Sequence, residues 1–247
     1  MIIDDQVLQD RAAVLAAAGH HPYARHALWL GAPACAYHRD GAVLWLVPPE
    51  FGPAGNAIGP IEPALEICAA LIADGVLRPG QRLHLPRHDP GLLSGRLAVA
   101  RHDDWDFHWT GVAPPTQPDE ERVVRLTDAD HPALTALIDE AFPSTTSRPG
   151  DSRVVDWYGI RADDGRLVAA GADRSQGDVG FLAGLTVAGD QRGRGLGAAL
   201  TAGMTRALLA RYDTVGLGVY PHNVGAVRLY RRLGFTDTLG RSTLTLA

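Results

Sequence analysis

Between Val179 and Ala210 the hydrophobic pattern of the chain changes its period. Val179, Phe181, Ala183, Leu185 and Val187 alternate with Gly180, Leu182, Gly184 and Thr186, which predicts a strand ended by Gly189-Asp190. From Leu196 onward the period is helical: Leu196, Leu200, Met204 and Leu208 recur four residues apart. Downstream, Thr214 to Tyr220 reads as a short apolar strand stopped by Pro221. Asn223 stands where an N-cap belongs, Ala226, Val227, Leu229, Tyr230 and Leu233 form one stripe, and Gly234 closes the helix.

The rest of the chain is read the same way. A helix is expected over Asp5–Ala18, and a hairpin over Ala34–Tyr37 and Ala42–Val47 with an Asp40-Gly41 turn. A loop rich in glycine and proline follows over Phe51–Pro63, then a helix over Ala64–Ala73, a strand over Gln81–Leu85 and a helix over Leu92–Ala100. His102 to Trp109 alternates, with His102, Asp104, Asp106 and His108 on one face and Asp103, Trp105, Phe107 and Trp109 on the other. Such a row could ligate a divalent ion, but it reads more simply as the wet face of a strand that packs aromatics behind it. Val112–Glu120 is rich in proline and reads as a linker. Beyond it come a strand (Arg122–Leu126) and a helix capped at Asp128 or Asp130 with Pro132 in its first turn. A polar loop (Pro143–Asp151), a hairpin (Val154–Ala162 and Leu167–Asp173) and a closing strand (Ser242–Leu246) complete the pattern.

Composition narrows the function classes. A 247-residue chain suits two domains: 1–113, a linker at 114–121, and 122–247. Residues 1–121 carry 8 Arg against 15 acids, a net of −7, and residues 122–247 carry 15 Arg against 13 acids, a net of +2. No basic run suits nucleic acid, no apolar run suits a membrane, and Met1-Ile2-Ile3-Asp4-Asp5 does not resemble a signal peptide. Two distant cysteines, Cys35 and Cys68, fit a reducing cytoplasm.

The chemistry concentrates between the Val179 strand and the Leu196 helix. Backbone N–H groups at a helix start lack intrahelical partners, and the helix dipole favours an anion there. Gly193, Gly195 and Gly197 let the chain present its amides at close range, and Arg192 and Arg194 add positive charge. A P-loop would need Gly-Lys-Ser/Thr, and the chain has no lysine; a dinucleotide fingerprint would need different glycine spacing and an acid ending the next strand. Arg192-Gly193-Arg194-Gly195-Leu196-Gly197 instead matches Arg/Gln-x-x-Gly-x-Gly/Ala. With Asn223-x-x-Ala226-x-x-Leu229-Tyr230-x-x-x-Gly234-Phe235, residues 122–247 resemble the GCN5-related N-acetyltransferases (GNAT).

That resemblance implies an α/β fold, a mixed, mostly antiparallel twisted sheet flanked by helices. It implies acetyl-CoA as co-substrate, with its pyrophosphate on residues 192–197, its pantetheine arm along Leu185, Thr186 and Val187, and Asn223 in contact. It gives Tyr230 as the acid that protonates the departing thiolate. The implied reaction is direct transfer, without a metal, to the amine of a small molecule or peptide. The family's acid on the central strand is missing, and Asp156, Asp173, Asp178 and His222 remain as candidates for a base. The first half loosely repeats the element order of the second, as a degenerate second copy would, although Gly55-Asn56-Ala57-Ile58-Gly59-Pro60 lacks the glycine-arginine pattern. The expected protein is a cytoplasmic monomer or homodimer that binds neither nucleic acid nor membrane. A non-catalytic acyl-CoA sensor is the rival reading, and it would have no need of Tyr230.

Overall fold

The structure, a computed structural model, describes residues 6–47 and 54–247. These form two compact units, one of residues up to Phe107 together with Leu239–Ala247, the other His108–Thr238. The first unit contains strands β1 (Gln6–Leu8), β2 (Cys35–Arg39), β3 (Ala42–Leu46), β4 (Ala54–Ile58), β5 (Arg82–Pro86) and most of β6 (Val99–Thr110). Its helices are α1 (Arg11–Ala17), α2 (Pro22–Ala27) and α3 (Ile61–Ala73). The second contains β7 (Val124–Arg125), α4 (His131–Ala141), β8 (Asp156–Arg161), β9 (Leu167–Asp173), β10 (Gly180–Val187), α5 (Leu196–Leu209), β11 (Val215–Val219) and α6 (Val224–Arg232). The last strand, β12, is Asp237–Leu246.

In the first unit the strand order is β1-β2-β3-β4-β5-β12-β6. β4 and β5 run parallel, joined by α3, while the β2–β3 hairpin turns at Asp40-Gly41, both with positive φ, as its Asp-Gly pair requires. α3 buries Leu65, Ile67, Cys68 and Leu71 against Leu44, Leu83 and Leu85. Burial pushes the Cys68 thiol up to about 12, so it packs as a small apolar group. In the second unit the order is β11-β10-β9-β8-β7, again with one parallel pair, β10–β11, joined by a helix, α5. Leu196, Leu200, Met204 and Leu208 of α5 are all buried, as their spacing demands. Thr127 and Asp130 form a capping box at the start of the α4 segment, with the Thr127 N–H donating to Asp130 at 2.7 Å.

Several expectations are corrected. The first helix begins at Arg11, capped by Asp10, with the three-residue β1 ahead of it; the expected start at Asp5 lies outside the described residues. Within the expected loop 51–63 the structure forms β4, and residues 51–53 lie outside the described part. The helix expected over Leu92–Ala100 is a single 3-10 turn, Pro90–Leu93, which Gly95 at φ +72° leads away from before β6 begins. The wet face expected for β6 is covered at its end, where His108 is buried and Thr238 Oγ1 bonds its Nδ1 at 2.8 Å, while Phe107 is buried on the face expected to pack. The strand expected to close the second sheet pairs through Arg241–Thr245 with β5 and belongs to the first unit. Nor is 114–121 a free connection between units, because both ends are tied to α5. Arg206 donates to Glu120 Oε1 at 2.5 Å and to the Pro114 carbonyl at 2.5 Å. Its prolines mark extended backbone, which hydrogen bonding then fixes.

Candidate functional site

The site grows from an irregularity in β10. Its pairing with β9 is regular at Leu182–Asp173 and Ala183–Ala172, then slips, so that Gly184 and Leu185 together face one residue, Gly171, before Thr186 meets Ala170. This is a β-bulge. Gly184 takes φ +60°, a conformation that favours glycine, and the Thr186 hydroxyl donates to the Gly184 carbonyl at 2.9 Å. On its other edge β10 pairs with β11 only at Gly180–Val215, Phe181–Gly216 and Leu182–Leu217. Past that point the two parallel strands part, leaving residues 185–187 facing a groove.

The groove has a volume of about 900 Å³ and lies wholly within the second unit. Leu185, Thr186 and Val187 form its floor, Arg192, Gly193, Gly195, Leu196 and Gly197 one end, and Asn223 and Tyr230 its α6 wall. Ten of the eleven residues singled out in the sequence therefore line one groove. Arg194 does not: its side chain is exposed and donates to Gln191 Oε1 at 2.8 Å. The sequence missed Ala141 and Phe142 at the end of α4, together with Gly225, Leu229 and Arg232 of α6. The last three recur at i, i+4 and i+7, a helical face that could have been read, whereas nothing local marks Ala141 or Phe142.

The end of the groove is a row of donors. Gly193 and Gly195 have φ +77° and +87°, and Gly195 caps α5. The N–H groups of residues 193–197 have no acceptor among the described residues; the first amides to be used are those of Ala198 and Ala199, which both donate to the Gly195 carbonyl. Nothing lies within 4 Å of where a Cβ on Gly193 or Gly195 would stand. These glycines are therefore required by backbone conformation and not by crowding. Arg192 is less free than its sequence suggested, since it donates to the Val187 carbonyl at 3.3 Å and the Ala141 carbonyl at 3.2 Å, lashing the loop to β10 and α4.

On the α6 wall, Asn223 Oδ1 accepts from the Ala226 N–H at 3.2 Å, so this oxygen caps the helix while the side-chain amide keeps its donors. Tyr230 is 8% exposed, edge-on to Phe235, and its hydroxyl has no hydrogen-bond partner among the described residues. Burial pushes its pKa up to about 12, so the hydroxyl keeps its proton at neutral pH.

The candidate bases fare differently. Asp173 is fully buried and accepts from Ser175 at 2.5 Å and from Arg211 at 2.5 Å, which makes it a structural anchor of the β9–β10 hairpin. Asp156 is paired with Arg125 on the far edge strands, and His222 is exposed, stacked on Tyr220 at 5.3 Å between centroids. None of these three, nor Asp178, lines the groove. Among the described residues no three His, Cys, Asp or Glu side chains gather as metal ligands; in the β6 row, Asp104 and Asp106 face Arg87. No helix of the described residues is long and apolar enough to cross a membrane.

The mixed α/β fold, a twisted and mostly antiparallel sheet flanked by helices, is the acyl-CoA N-acyltransferase fold, and solved structures share it over nearly the whole chain. A protein of the GNAT family from Novosphingobium aromaticivorans shares 24% identity and a TM-score of 0.58, over 94% of this chain and 96% of that one. A GCN5-related N-acetyltransferase from Sphaerobacter thermophilus shares 18% and 0.57, over 100% and 98%. A Drosophila protein shares 18% and 0.60, over 96% and 86%. More narrowly, residues 157–243, which carry β8 to β12 and the whole glycine loop, match the family described as FR47-like protein. No curated protein matches the sequence.

Proposed function

We propose that the chain is an acetyl-CoA-dependent N-acetyltransferase whose second unit holds the reaction site. The observation that carries this reading is the conjunction, in one groove, of the loop Gly193, Gly195, Leu196 and Gly197, whose backbone N–H groups have no acceptor among the described residues, and a buried, protonated tyrosine on the opposite wall. The donor row fits a pyrophosphate, because such amides and the α5 dipole point the same way. The unpaired edge of residues 185–187 fits the amide-bearing pantetheine arm, which can pair with it as a strand would. Acetyl-CoA bound there supplies a thioester whose acyl carbon is attacked by an amine. The protein's own part is to hold the arm in register, to offer a β10 N–H to the thioester oxygen, and to give the Tyr230 proton to the departing sulfur.

Among the described residues no carboxylate or imidazole lines this groove, which supports a reading in which the amine loses its proton to water or arrives neutral. The acceptor is an amine of a small molecule or a peptide. Retention of the unpartnered Tyr230 hydroxyl favours an enzyme over an acyl-CoA sensor, which would need only the donor row. The test is twofold. Acetyl-CoA, but not NAD or ATP, is expected to raise the melting temperature, and free thiol is expected to appear when a panel of amines and peptide N-termini is added. Stabilisation with no transfer to any acceptor would turn the reading to the sensor, and no stabilisation would remove both.

A further inference from the structure

In the first unit, Arg241 of β12 is fully buried and has no acidic partner among the described residues. Its Nη2 donates to the His84 carbonyl at 2.5 Å, and its guanidinium lies over the Tyr23 ring, 4.0 Å from the centroid. The Tyr23 hydroxyl oxygen also interacts with the guanidinium, but among the described residues its Nε and Nη1 make no hydrogen bond of good geometry and no carboxylate forms an ion pair with it. A buried guanidinium without a counter-charge is costly, and chains seldom keep one.

The neighbours make the deficit larger. Trp105 Nε1–H can only donate, and it donates to Thr243 Oγ1 at 2.9 Å. That hydroxyl has no other acceptor among the described residues, so its proton is assigned to His84 Nδ1, 3.1 Å away, which puts the ring proton of His84 on Nε2. Tyr23 spends its hydroxyl proton on Asn56 Oδ1 at 2.7 Å. Unspent donors thus remain on Arg241 and on His84 Nε2, without an acid to take them. His84 and Trp105, edge-to-face at 5.8 Å, are only partly buried, so the cluster reaches the surface beside them.

We infer that the first unit holds a binding site for a small carboxylate, centred on Arg241, with His84 as a second donor and Trp105 at its mouth. A carboxylate accepts from several N–H groups at once and supplies the missing charge. The site is separate from the groove of the second unit and does not depend on what that groove binds.

The experiment uses the full chain with sodium acetate and sodium formate against sodium chloride at matched ionic strength. It follows melting temperature and tryptophan fluorescence. The expected result is a saturable change with the carboxylates and a far smaller one with chloride. Arg241→Met is expected to abolish it while melting no lower than the parent, since it removes an unpaired buried charge. Should that variant fail to fold, His84→Leu, at a partly exposed position, is expected to raise the half-saturating concentration about tenfold or more. Equal responses to acetate and chloride, a non-saturable response, or an unchanged response in either variant would overturn the assignment.

Discussion

The Tyr230→Phe substitution tests the proposed chemistry most directly, because the structure says what it leaves untouched. The hydroxyl has no hydrogen-bond partner among the described residues, and the ring keeps its edge-on contact with Phe235. The variant is therefore expected to fold with a stability within about 1 kcal/mol of the parent. Acetyl-CoA affinity should also hold, because the donor row and the open edge of β10 lie elsewhere in the groove. The rate should not hold. A thiol of ordinary pKa, about 8.5, leaves poorly as an anion below that pH, and loss of a general acid costs about 10²–10⁴-fold. Since the tyrosine stays protonated until about 12, the parent keeps its acid across the accessible range. The defect should accordingly be full near pH 7 and shrink above about pH 8.5, where the thiolate leaves unaided. Single-turnover release of free thiol, measured from pH 6.5 to 9.5 with a reactive amine, reads this directly. A rate unchanged at every pH, with chemistry shown to be rate-limiting, would refute the role of Tyr230.

Two further predictions follow from backbone and burial. Gly195→Val places a β-branched residue at φ +87° in open space, so the chain should fold, at a cost of at least about 1–2 kcal/mol, while relaxation of the loop turns its amides away; calorimetry should show acetyl-CoA binding lost, and parent-like binding would exclude the loop as the site. Burial, and then the nearby charge of Arg241, hold His84 at about 3, below its unfolded value of 6.5, so the unfolded chain takes up a proton first and stability falls as pH drops from 6.5 toward 3. In chloride buffers, His84→Gln should flatten that slope, recovering at most about 2 kcal/mol at pH 5 relative to pH 7 in urea unfolding; an unaltered pH dependence would show that His84 does not carry it.

The sequence by itself determined the second unit's elements and most of its groove. The reason is locality: a strand, a glycine turn and a helix start are each set by residues within a few positions, so the donor row of 193–197 was legible, as were the Asn223 cap and the Gly234 stop. Only the tertiary structure decided what depends on distant partners. The bulge at Gly184 hides in a strand that alternates cleanly on paper, because its two-against-one count exists only opposite β9. Arg192 was read for its charge alone, and only folding shows its guanidinium tied to the Val187 and Ala141 carbonyls. The proline-rich segment 114–121 reads as a linker until Arg206, far along the chain, ties it to α5. β12 shows the same limit most plainly. Its alternation gives a strand but no address, and the ladder that places Arg241 beside β5 sets a buried arginine among His84, Tyr23 and Trp105, with no acid paired to it among the described residues.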